Sequence, residues 1–298
     1  MNPNIWCQLI GQYTDHEAYL LHYKGGGTVG RWNKKENGWE DLFSVHRAEE
    51  WRRASRLFDF VHFNNKWQKF NNYESKSLIH YHNPKGVRVS LDFEGKKICN
   101  APHQVNGSYL DAQPIRWMPI DISNPPNPTD KIRICFSPSN KGSSPLFGKG
   151  YTPTIRILND LKKRHPEKFD FDLISGVSRQ HCLRMKANYN IVIDECVTGN
   201  YNQSGFEALG MGKMVIGWLS DANIQMLNKL CARTNPTRIP YESVNINNLE
   251  EYLEDIISNN KLDYVLERGK ENKEWMQSHW NVHDLIKDML DIYESVLN

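Results

Sequence analysis

The fold is decided by the stretch IVIDECVTGNYNQSGFEALGMGKMVIGW, residues 191–218. It opens with an apolar run that ends at Asp194 and Glu195, passes through a loop rich in glycine and asparagine, and enters a short helix that carries Glu207. A second apolar run follows the helix. Two buried strands joined by one helix are typical of a parallel βαβ unit. The polar loop lies where such sheets bind their ligands, beyond the carboxyl end of a strand.

The same alternation extends over the second half of the chain. Further strand candidates are KIRICFSP, FDFDLISG and the weaker RIPYESV. Helical candidates are TPTIRILNDLKKRH, SRQHCLRMKAN, DANIQMLNKLCAR and three tail segments, residues 248–258, 263–277 and 282–297. Strands that alternate with helices at this spacing predict a doubly wound parallel sheet.

The first half is less regular, and a proline-rich segment separates it from the second. Its strand candidates are EAYLLHY, FDFVHF, SLIHYH, KKICNAP and IRWMPID, with one helix predicted at 49–58. DISNPPNPTDK, residues 121–131, cannot continue a helix or a central strand and is interpreted as a linker. We therefore predict a smaller α/β domain at 1–122, a larger one at 131–280, and a final helix at 281–298 that packs back on the first domain.

Composition excludes several classes of protein. With 39% hydrophobic and 24% charged residues, the chain is typical of a soluble globular protein. No apolar stretch approaches the roughly 18 residues that span a bilayer, and no signal peptide is recognisable. The six cysteines form no CxxC pair, which favours buried thiols in a reducing, cytoplasmic location over disulfides or zinc sites. A net charge of +2 without a basic block gives little support for a large nucleic-acid interface.

Three loops should meet at the carboxyl edge of the predicted sheet: 137–152, 176–178 and 194–204. The first combines glycines and hydroxyls with Lys141 and Lys149, as a phosphate cradle does, although a solvated surface loop has the same composition. Glu207 also has two interpretations. As a first-turn acid it complements the helix dipole, and as a carboxylate facing the loops it can accept hydrogen bonds from ribose hydroxyls.

Several of these segments, taken in order, resemble a known family. Asp194, Gly199 and Tyr201 precede EALGMGKMVIGW, upstream stands CFSPSN followed by KGYTPTIRILNDL, and the chain ends in HWNVHDLIKDMLDIYESVL. This succession resembles the donor-binding half of GT-B glycosyltransferases, especially the family-4-like enzymes. The resemblance covers residues 135–298.

The resemblance implies an α/β fold of the GT-B type: two Rossmann-like domains with a cleft between them, the N-terminal one small or truncated. It also implies a nucleotide-diphosphate sugar, such as a UDP-sugar, as donor and co-substrate. No other cofactor and no metal would be needed, and the anomeric configuration would be retained. The sugar would pass to an acceptor hydroxyl.

Family roles carry over residue by residue. Glu207 would bind the donor ribose, Lys149 would neutralise the diphosphate, and Gly176 would let the backbone approach the nucleotide. Positive charge matters there because the leaving group gains charge as the glycosidic bond breaks. The loop 201–205 would contact phosphate or sugar. The full donor-binding set is Ser139, Lys149, Gly150, Gly176, Gly199, Tyr201, Asn202, Ser204, Gly205 and Glu207.

A histidine pair marks the first half. His80 and His82 share one face of a predicted strand, where a core or surface pair is the commoner explanation. SLIHYHNPKGVR, residues 77–88, is also similar to a cleft-facing strand end of the family. That similarity makes His82 a catalytic candidate, together with Glu207, and places Arg88 on the acceptor side.

A run of three glycines supplies the remaining acceptor-side candidates. Gly26 and Gly27, within KGGGTVGRW, would allow close approach of an acceptor or a phosphate, although a flexible hairpin tip has the same sequence. The acceptor itself is open: a glycan, a lipid-linked glycan or a nucleic acid.

The sequence also departs from the family. Gly199 stands eight residues before Glu207, where the family often has a second glutamate, and Asp194 and Glu195 are possible substitutes that should point to opposite faces. Asn202 replaces a usual glycine. No arginine partner for the phosphate-binding lysine is evident from the sequence.

Two alternative functions follow from these departures. A non-catalytic nucleotide-sugar-binding protein of the same fold would explain the missing glutamate. A viral-type DNA-base glycosyltransferase would explain the reduced first half, with WRRASR (51–56) and NNKWQKF (64–70) touching a nucleic-acid backbone. Salt-dependent DNA binding would distinguish the second alternative.

Overall fold

The structure is a computed structural model of the 298-residue chain. It describes residues 3–21, 27–33, 35–36, 38–45, 58–59, 61–64, 77–81, 93, 95–100, 111–116, 120, 125, 127–138, 149–232, 234 and 236–298. The chain divides into two compact units, one formed by Met1–Met118 with Val282–Asn298 and the other by Pro119–Asn281.

The second unit is built on a five-stranded parallel sheet. Its strands are β8 (Ile132–Phe136), β9 (Phe169–Leu173), β10 (Ile191–Ile193), β11 (Met214–Gly217) and β12 (Glu242–Ser243), in the order β12-β11-β10-β8-β9. Its helices are α2 (Tyr151–Arg164), α3 (Arg179–Lys186), α4 (Gln203–Gly210), α5 (Asp221–Leu230), α6 (Leu249–Ser258) and α7 (Leu262–His279). The predicted βαβ pattern of this half is confirmed.

The burial of the central strands explains why the alternation of strands and helices could be predicted from the sequence. β10 pairs with β8 on one side and β11 on the other, and every residue of β10 and β11 is buried. A parallel strand covered on both faces must be apolar throughout, so it appears as an unbroken hydrophobic run. The apolar faces of α2 and α6 complete this core, for example through Leu158 and Leu253.

The first unit contains two sheets. Its elements are α1 (Pro3–Tyr13), the antiparallel β1 (Tyr19–Leu21), β2 (Gly27–Asn33) and β3 (Gly38–Val45), the parallel β4 (Val61–Asn64), β5 (Ser77–Tyr81), β6 (Lys96–Asn100) and β7 (Gln113–Ile115), and α8 (Val282–Leu297). The parallel sheet has the sequential order β4-β5-β6-β7. Its described core contains Phe63, Ile79 and Phe93.

The final helix lies in this first unit. Arg116 Nε donates to Asp288 Oδ2 at 2.7 Å, and the side chain of Arg116 is buried. His62 Nδ1 and the Tyr293 hydroxyl are 2.9 Å apart. These contacts join α8 to the parallel sheet, although α8 follows the second unit in sequence.

One sequence interpretation of the first half needs correction, and two elements were missed. IRWMPID was predicted to be a strand, but β7 ends at Ile115, and Arg116 contacts α8 instead of continuing the sheet. The helix α1 and the hairpin of β2 and β3 were not predicted. The helix expected at 49–58 falls on residues of which 49–57 lie outside the described part of the chain.

The described part of the proline-rich segment is fixed to the second unit. Asn190 Nδ2 donates to the Pro128 and Lys131 carbonyls at 3.1 Å each. The buried Lys213 ammonium donates to Asn127 Oδ1 at 2.7 Å. Side-chain hydrogen bonds thus seat the segment that leads into β8.

Candidate functional site

A buried acid organises the carboxyl edge of the second sheet. Asp194 follows β10, is fully buried, and accepts hydrogen bonds from three other segments of the chain. Lys149 Nζ lies 3.1 Å from Oδ1, while the Asn202 backbone N–H and the Tyr241 hydroxyl lie 3.1 and 3.3 Å from Oδ2. Asp194 therefore ties the residues before α2 to the start of α4, since Asn202 is the residue that precedes α4.

Its neighbour has a different role. Glu195 accepts from the backbone N–H and hydroxyl of Thr198, the latter at 2.7 Å, and from the Asn200 N–H at 3.2 Å. Burial raises the pKa of Glu195, partly offset by these hydrogen bonds. Asp194 and Glu195 therefore accept hydrogen bonds from different residues. Glu195 holds the first part of the loop between β10 and α4, and Asp194 holds its end at Asn202.

The glycine at position 205 is required by this packing. A Cβ there would stand 2.1 Å from the Tyr241 hydroxyl oxygen and 2.7 Å from Asp194 Oδ2. No side chain fits at such distances, so the first turn of α4 can press against Asp194 only through glycine. This close approach explains why glycine stands at position 205, in the first turn of α4.

Glu207 is held by a second set of partners on α3 and α4. Its Oε2 accepts from Lys186 Nζ at 3.2 Å. Its Oε1 accepts from Arg179 Nε at 2.8 Å and from Gln203 Nε2 at 3.0 Å. Lys186 Nζ also donates to Ser204, at 2.9 Å to the hydroxyl and 3.2 Å to the carbonyl. The predicted residues Ser204 and Glu207 thus share a buried lysine.

The other glycines predicted to bind the donor lie in the loops between the strands and helices of the second unit. Gly150 is the residue before α2 and offers no side-chain cap to its first turn. The Gly199 carbonyl accepts from Asn223 Nδ2 at 2.7 Å. Gly176 follows β9 with φ +72°, and a Cβ there would meet nothing within 4 Å. Gly176 therefore combines a left-handed backbone with open space, as an approaching ligand would require.

Tyr201 lies in the interior. Its side chain is buried, and its ring centroid is 5.1 Å from that of Phe206, which in turn packs on Trp280 at 4.6 Å. The ring thus supports the loop from beneath.

The acceptor-side predictions fall mostly outside the described residues. His82, Arg88, Gly26 and the donor-side Ser139 belong to that group. Gly27 begins β2, opposite Val45. The structure therefore brings together only donor-side candidates.

Two cations that bind Glu207, Arg179 and Lys186, were not predicted from the sequence. They lie seven positions apart on α3, a spacing that puts both on one face of a helix. That shared face was the available signal. Their partner Glu207 lies on another helix, which a helical pattern cannot reveal.

The described residues contain neither a candidate metal-binding cluster nor a candidate membrane-spanning helix. Across the part of the chain that is described, no group of three or more His, Cys, Asp or Glu side chains is placed to hold a metal ion. Within that same part, no helix combines the length and the apolar composition needed to cross a bilayer.

Comparisons with known proteins identify the fold. No protein-family model and no curated protein sequence matches the chain. Among solved structures, the GtfA/B complex aligns with 96% of this chain and 71% of its own, at a TM-score of 0.53 and 9% identity. Sucrose-phosphate synthase from Thermosynechococcus elongatus aligns with 83% of this chain and 77% of its own, at 0.50 and 13%. A pneumococcal O-GlcNAc transferase, GtfA, in complex with UDP and GlcNAc, aligns with 96% and 71%, at 0.50 and 8%.

At these identities the likeness concerns the fold. The chain has the mixed α/β architecture with parallel sheets that characterises Rossmann-like glycosyltransferases of the GT-B type. The expected fold class is confirmed.

Proposed function

We propose that the protein transfers a sugar from a nucleotide-diphosphate sugar to an acceptor hydroxyl. The observation that carries the proposal is the structure around Asp194. There, a buried carboxylate joins a lysine at the start of α2 to the start of α4, the helix that also presents Glu207. A cation that precedes α2 and an acid in the second turn of α4 thus stand on the carboxyl edge of one parallel sheet, where nucleotides bind in such folds.

Lys149 and the start of α2 suit a diphosphate. Lys149 is mostly buried, with a side chain 13% exposed, and precedes a helix whose N-terminal residue supplies no side-chain cap. The first-turn N–H groups of α2 and the lysine charge would together stabilise an anion. Since the diphosphate gains negative charge as it leaves, the same groups would accelerate bond cleavage.

Glu207 suits the ribose of the donor. Its carboxylate is 8% exposed and held on both oxygens, so it is positioned before any ligand arrives. Hydrogen bonds from hydroxyls to an ionised carboxylate are stronger than those between neutral groups. Among the similar folds, the pneumococcal transferase is described in complex with UDP and GlcNAc. We therefore propose a UDP-sugar as the first donor to test.

Retention of configuration and independence of metal are part of the proposal, as is placement among the family-4-like enzymes. They rest on the sequence resemblance over 135–298. The acceptor remains open among glycan, lipid-linked glycan and nucleic acid, because His82 and Arg88 lie outside the described residues.

Thermal unfolding tests the proposal directly. A ligand at a hundred times its Kd stabilises the native state by about 2.7 kcal/mol, which corresponds to a rise in Tm of about 4 °C for a chain of this size. We expect one of UDP, GDP or ADP, alone or as its sugar, to produce this rise. The variant Glu207→Gln should lose most of it, measured against its own ligand-free Tm.

Glu250→Gln is the matched control. Like Glu207, Glu250 is a helical acid that binds an arginine, Arg164, but its side chain is 51% exposed and it lies on α6. Glu250 stands in the first turn of its helix, whereas Glu207 is the fifth residue of α4 and is not the first-turn acid that the sequence suggested. It should retain the full ligand response. No response of the unmodified protein across the whole panel would contradict the donor site. Binding without release of nucleoside diphosphate in the presence of acceptors would favour the non-catalytic alternative.

A further inference from the structure

Two cations of one helix reach the same carboxylate, and their surroundings differ. Arg179 and Lys186, both on α3, bind the two oxygens of Glu207. The side chain of Arg179 is 56% exposed, whereas that of Lys186 is 1% exposed. An exposed guanidinium exchanges freely with water and ligands, and its pairing contributes little to stability. A buried ammonium cannot exchange, so Lys186 is the permanent partner.

The Lys186 ammonium has no spare donor. It carries three N–H groups, and three acceptors surround it: Glu207 Oε2 at 3.2 Å and the hydroxyl and carbonyl oxygens of Ser204 at 2.9 and 3.2 Å. All three acceptors belong to the first two turns of α4. The ammonium is therefore fixed in position relative to that helix.

This location is unfavourable for a cation in the absence of an acid. The N-terminus of a helix carries a partial positive charge, and burial removes the hydration of the ammonium. The carboxylate of Glu207 offsets both effects. Mutual dependence follows, because each buried charge needs the other to remain in place.

The consequence concerns the second oxygen of Glu207. Because Lys186 holds Oε2 from the interior, Oε1 is the oxygen that faces the partly exposed Arg179 and Gln203. A ribose hydroxyl that reaches this carboxylate would bind Oε1 and take the place of one of those two donors. The orientation of Oε1 would then depend on the contact at Oε2.

We propose that Lys186 is a positioning residue, which holds Glu207 so that its Oε1 accepts a ribose hydroxyl of the donor nucleotide. The inference rests on the proposed function and adds to it a residue that no sequence motif had assigned to the site. It predicts that Lys186 determines the discrimination between ribose and deoxyribose, a property that a purely structural lysine would leave unchanged.

The test is a ratio of dissociation constants. UDP, GDP and ADP are each compared with their 2′-deoxy and 3′-deoxy counterparts by calorimetry. A hydrogen bond to a charged acceptor corresponds to about a 10- to 100-fold preference, so the unmodified protein should favour ribose by that factor for one hydroxyl. In Lys186→Met the ratio should fall to within about threefold of one, and in Glu207→Gln it should fall similarly. In the double variant no further fall is expected, because the two residues act through one contact.

Lys213→Met is the matched control. Lys213 is also fully buried, on the same unit, but its ammonium binds the neutral oxygens of Asn127 and Ala187. Its replacement perturbs a buried lysine without touching Glu207, so the ribose preference should stay at its original value. If Lys186→Met does not fold, Lys186→Gln, which keeps an N–H donor but loses the charge, takes its place.

The outcomes are distinct. A folded Lys186 variant that keeps the ribose preference overturns the inference and leaves the proposed function standing. A loss of the preference in Lys213→Met as well would show a general effect of buried lysines and would also overturn it. If the unmodified protein binds none of the nucleotides, the proposed function fails, and the role of Lys186 fails with it.

Discussion

Both parallel sheets bury polar side chains, but they do so with different chemistry. At the carboxyl edge of the second sheet the buried groups are charged and paired, as Asp194 is with Lys149 and Glu207 with Lys186. In the first sheet two described buried pairs contain no carboxylate: His80 Nε2 lies 3.1 Å from Asn100 Oδ1, and His62 Nδ1 lies 2.9 Å from the Tyr293 hydroxyl. The ion pair described in this unit, Arg116 with Asp288, lies beyond the end of β7, and Asp288 is partly exposed.

This contrast between the two sheets indicates where a functional site should lie. Burying an ion pair costs hydration that hydrophobic residues of the same volume would not require, so such pairs are poor devices for stability. Their concentration at one sheet edge suits a site that must hold charge ready for a ligand. Neutral polar pairs satisfy their hydrogen bonds at lower cost and fit a structural role.

The largest expected effect breaks the first of these ion pairs. Lys149→Met leaves Asp194 buried without its cation, which should lower the free energy of unfolding by about 3 kcal/mol, the lower end for a buried pair because Lys149 retains some exposure. Urea unfolding measures it. Addition of Asp194→Asn should recover much of the stability. The thermal response to nucleotides should be lost in the single variant and should not return in the double variant.

Lys163→Met is the control for that experiment. Lys163 pairs with Asp160, but its side chain is 76% exposed. Neither stability nor nucleotide response should change measurably. If Lys149→Met proved as harmless as this control, the pairing with Asp194 would have no energetic importance and the contrast between the two sheets would disappear.

An effect of at most similar size probes the neutral side of the comparison through pH. Burial lowers the pKa of His62 to about 4, and no described residue accepts or donates at its buried Nε2. In the unfolded chain an imidazole has a pKa near 6.5, so the unfolded state gains the proton first as the pH falls. The contribution of neutral His62 to the free energy of unfolding is therefore complete above about pH 6.5. It is lost as the pH falls from about 6.5 to about 4, and the loss reaches about 3 kcal/mol.

Urea unfolding at a series of pH values between 7 and 4 measures this loss. His62→Gln should flatten the acid slope, since glutamine fills a similar role without titrating. His16→Gln, at an exposed histidine, should leave the slope as it is. An unchanged slope in His62→Gln would show that acid sensitivity arises elsewhere.

The two sheets also differ in how far the sequence predicted them. β10 and β11 are uninterrupted apolar runs, and β8 is apolar except for Arg133. The strands and the helices between them could therefore be predicted without tertiary information. β7 was placed too late because Arg116 belongs to a contact with Asp288, far away in sequence. The hairpin β2–β3 mixes charged residues and glycines within its strands, which weakens any alternation.

The site was predictable to the extent that it is local. Lys149 and Glu207 were found through motifs that each occupy a few neighbouring residues, and Gly205 through the same motif. The contacts that hold them were not found. Tyr241 and Lys186 meet their partners only after the strands and helices pack. Tyr241 carries no local pattern that marks it, and the helical spacing of Lys186 from Arg179 does not reveal their shared partner Glu207.

The smallest expected effect tests how tightly the charged edge is packed. Gly205→Ala places a methyl group 2.1 Å from the Tyr241 hydroxyl oxygen and 2.7 Å from Asp194 Oδ2. Helical backbone favours alanine, but overpacking of this kind costs about 1–3 kcal/mol, and we expect about 2 kcal/mol because the tyrosine ring can shift while Asp194 cannot without losing Lys149. Chemical unfolding gives the value.

Tyr241→Phe makes the measurement specific. Alone, it removes a long hydrogen bond to Asp194 at 3.3 Å and should cost about 1 kcal/mol. In its background Gly205→Ala should cost clearly less than in the unmodified protein, because the nearest obstructing atom is gone; such non-additivity is expected of residues in contact. Strict additivity would mean that Asp194 alone sets the limit. The glycine would then be required by the buried charge itself, a stronger dependence of the fold on its site than packing alone implies.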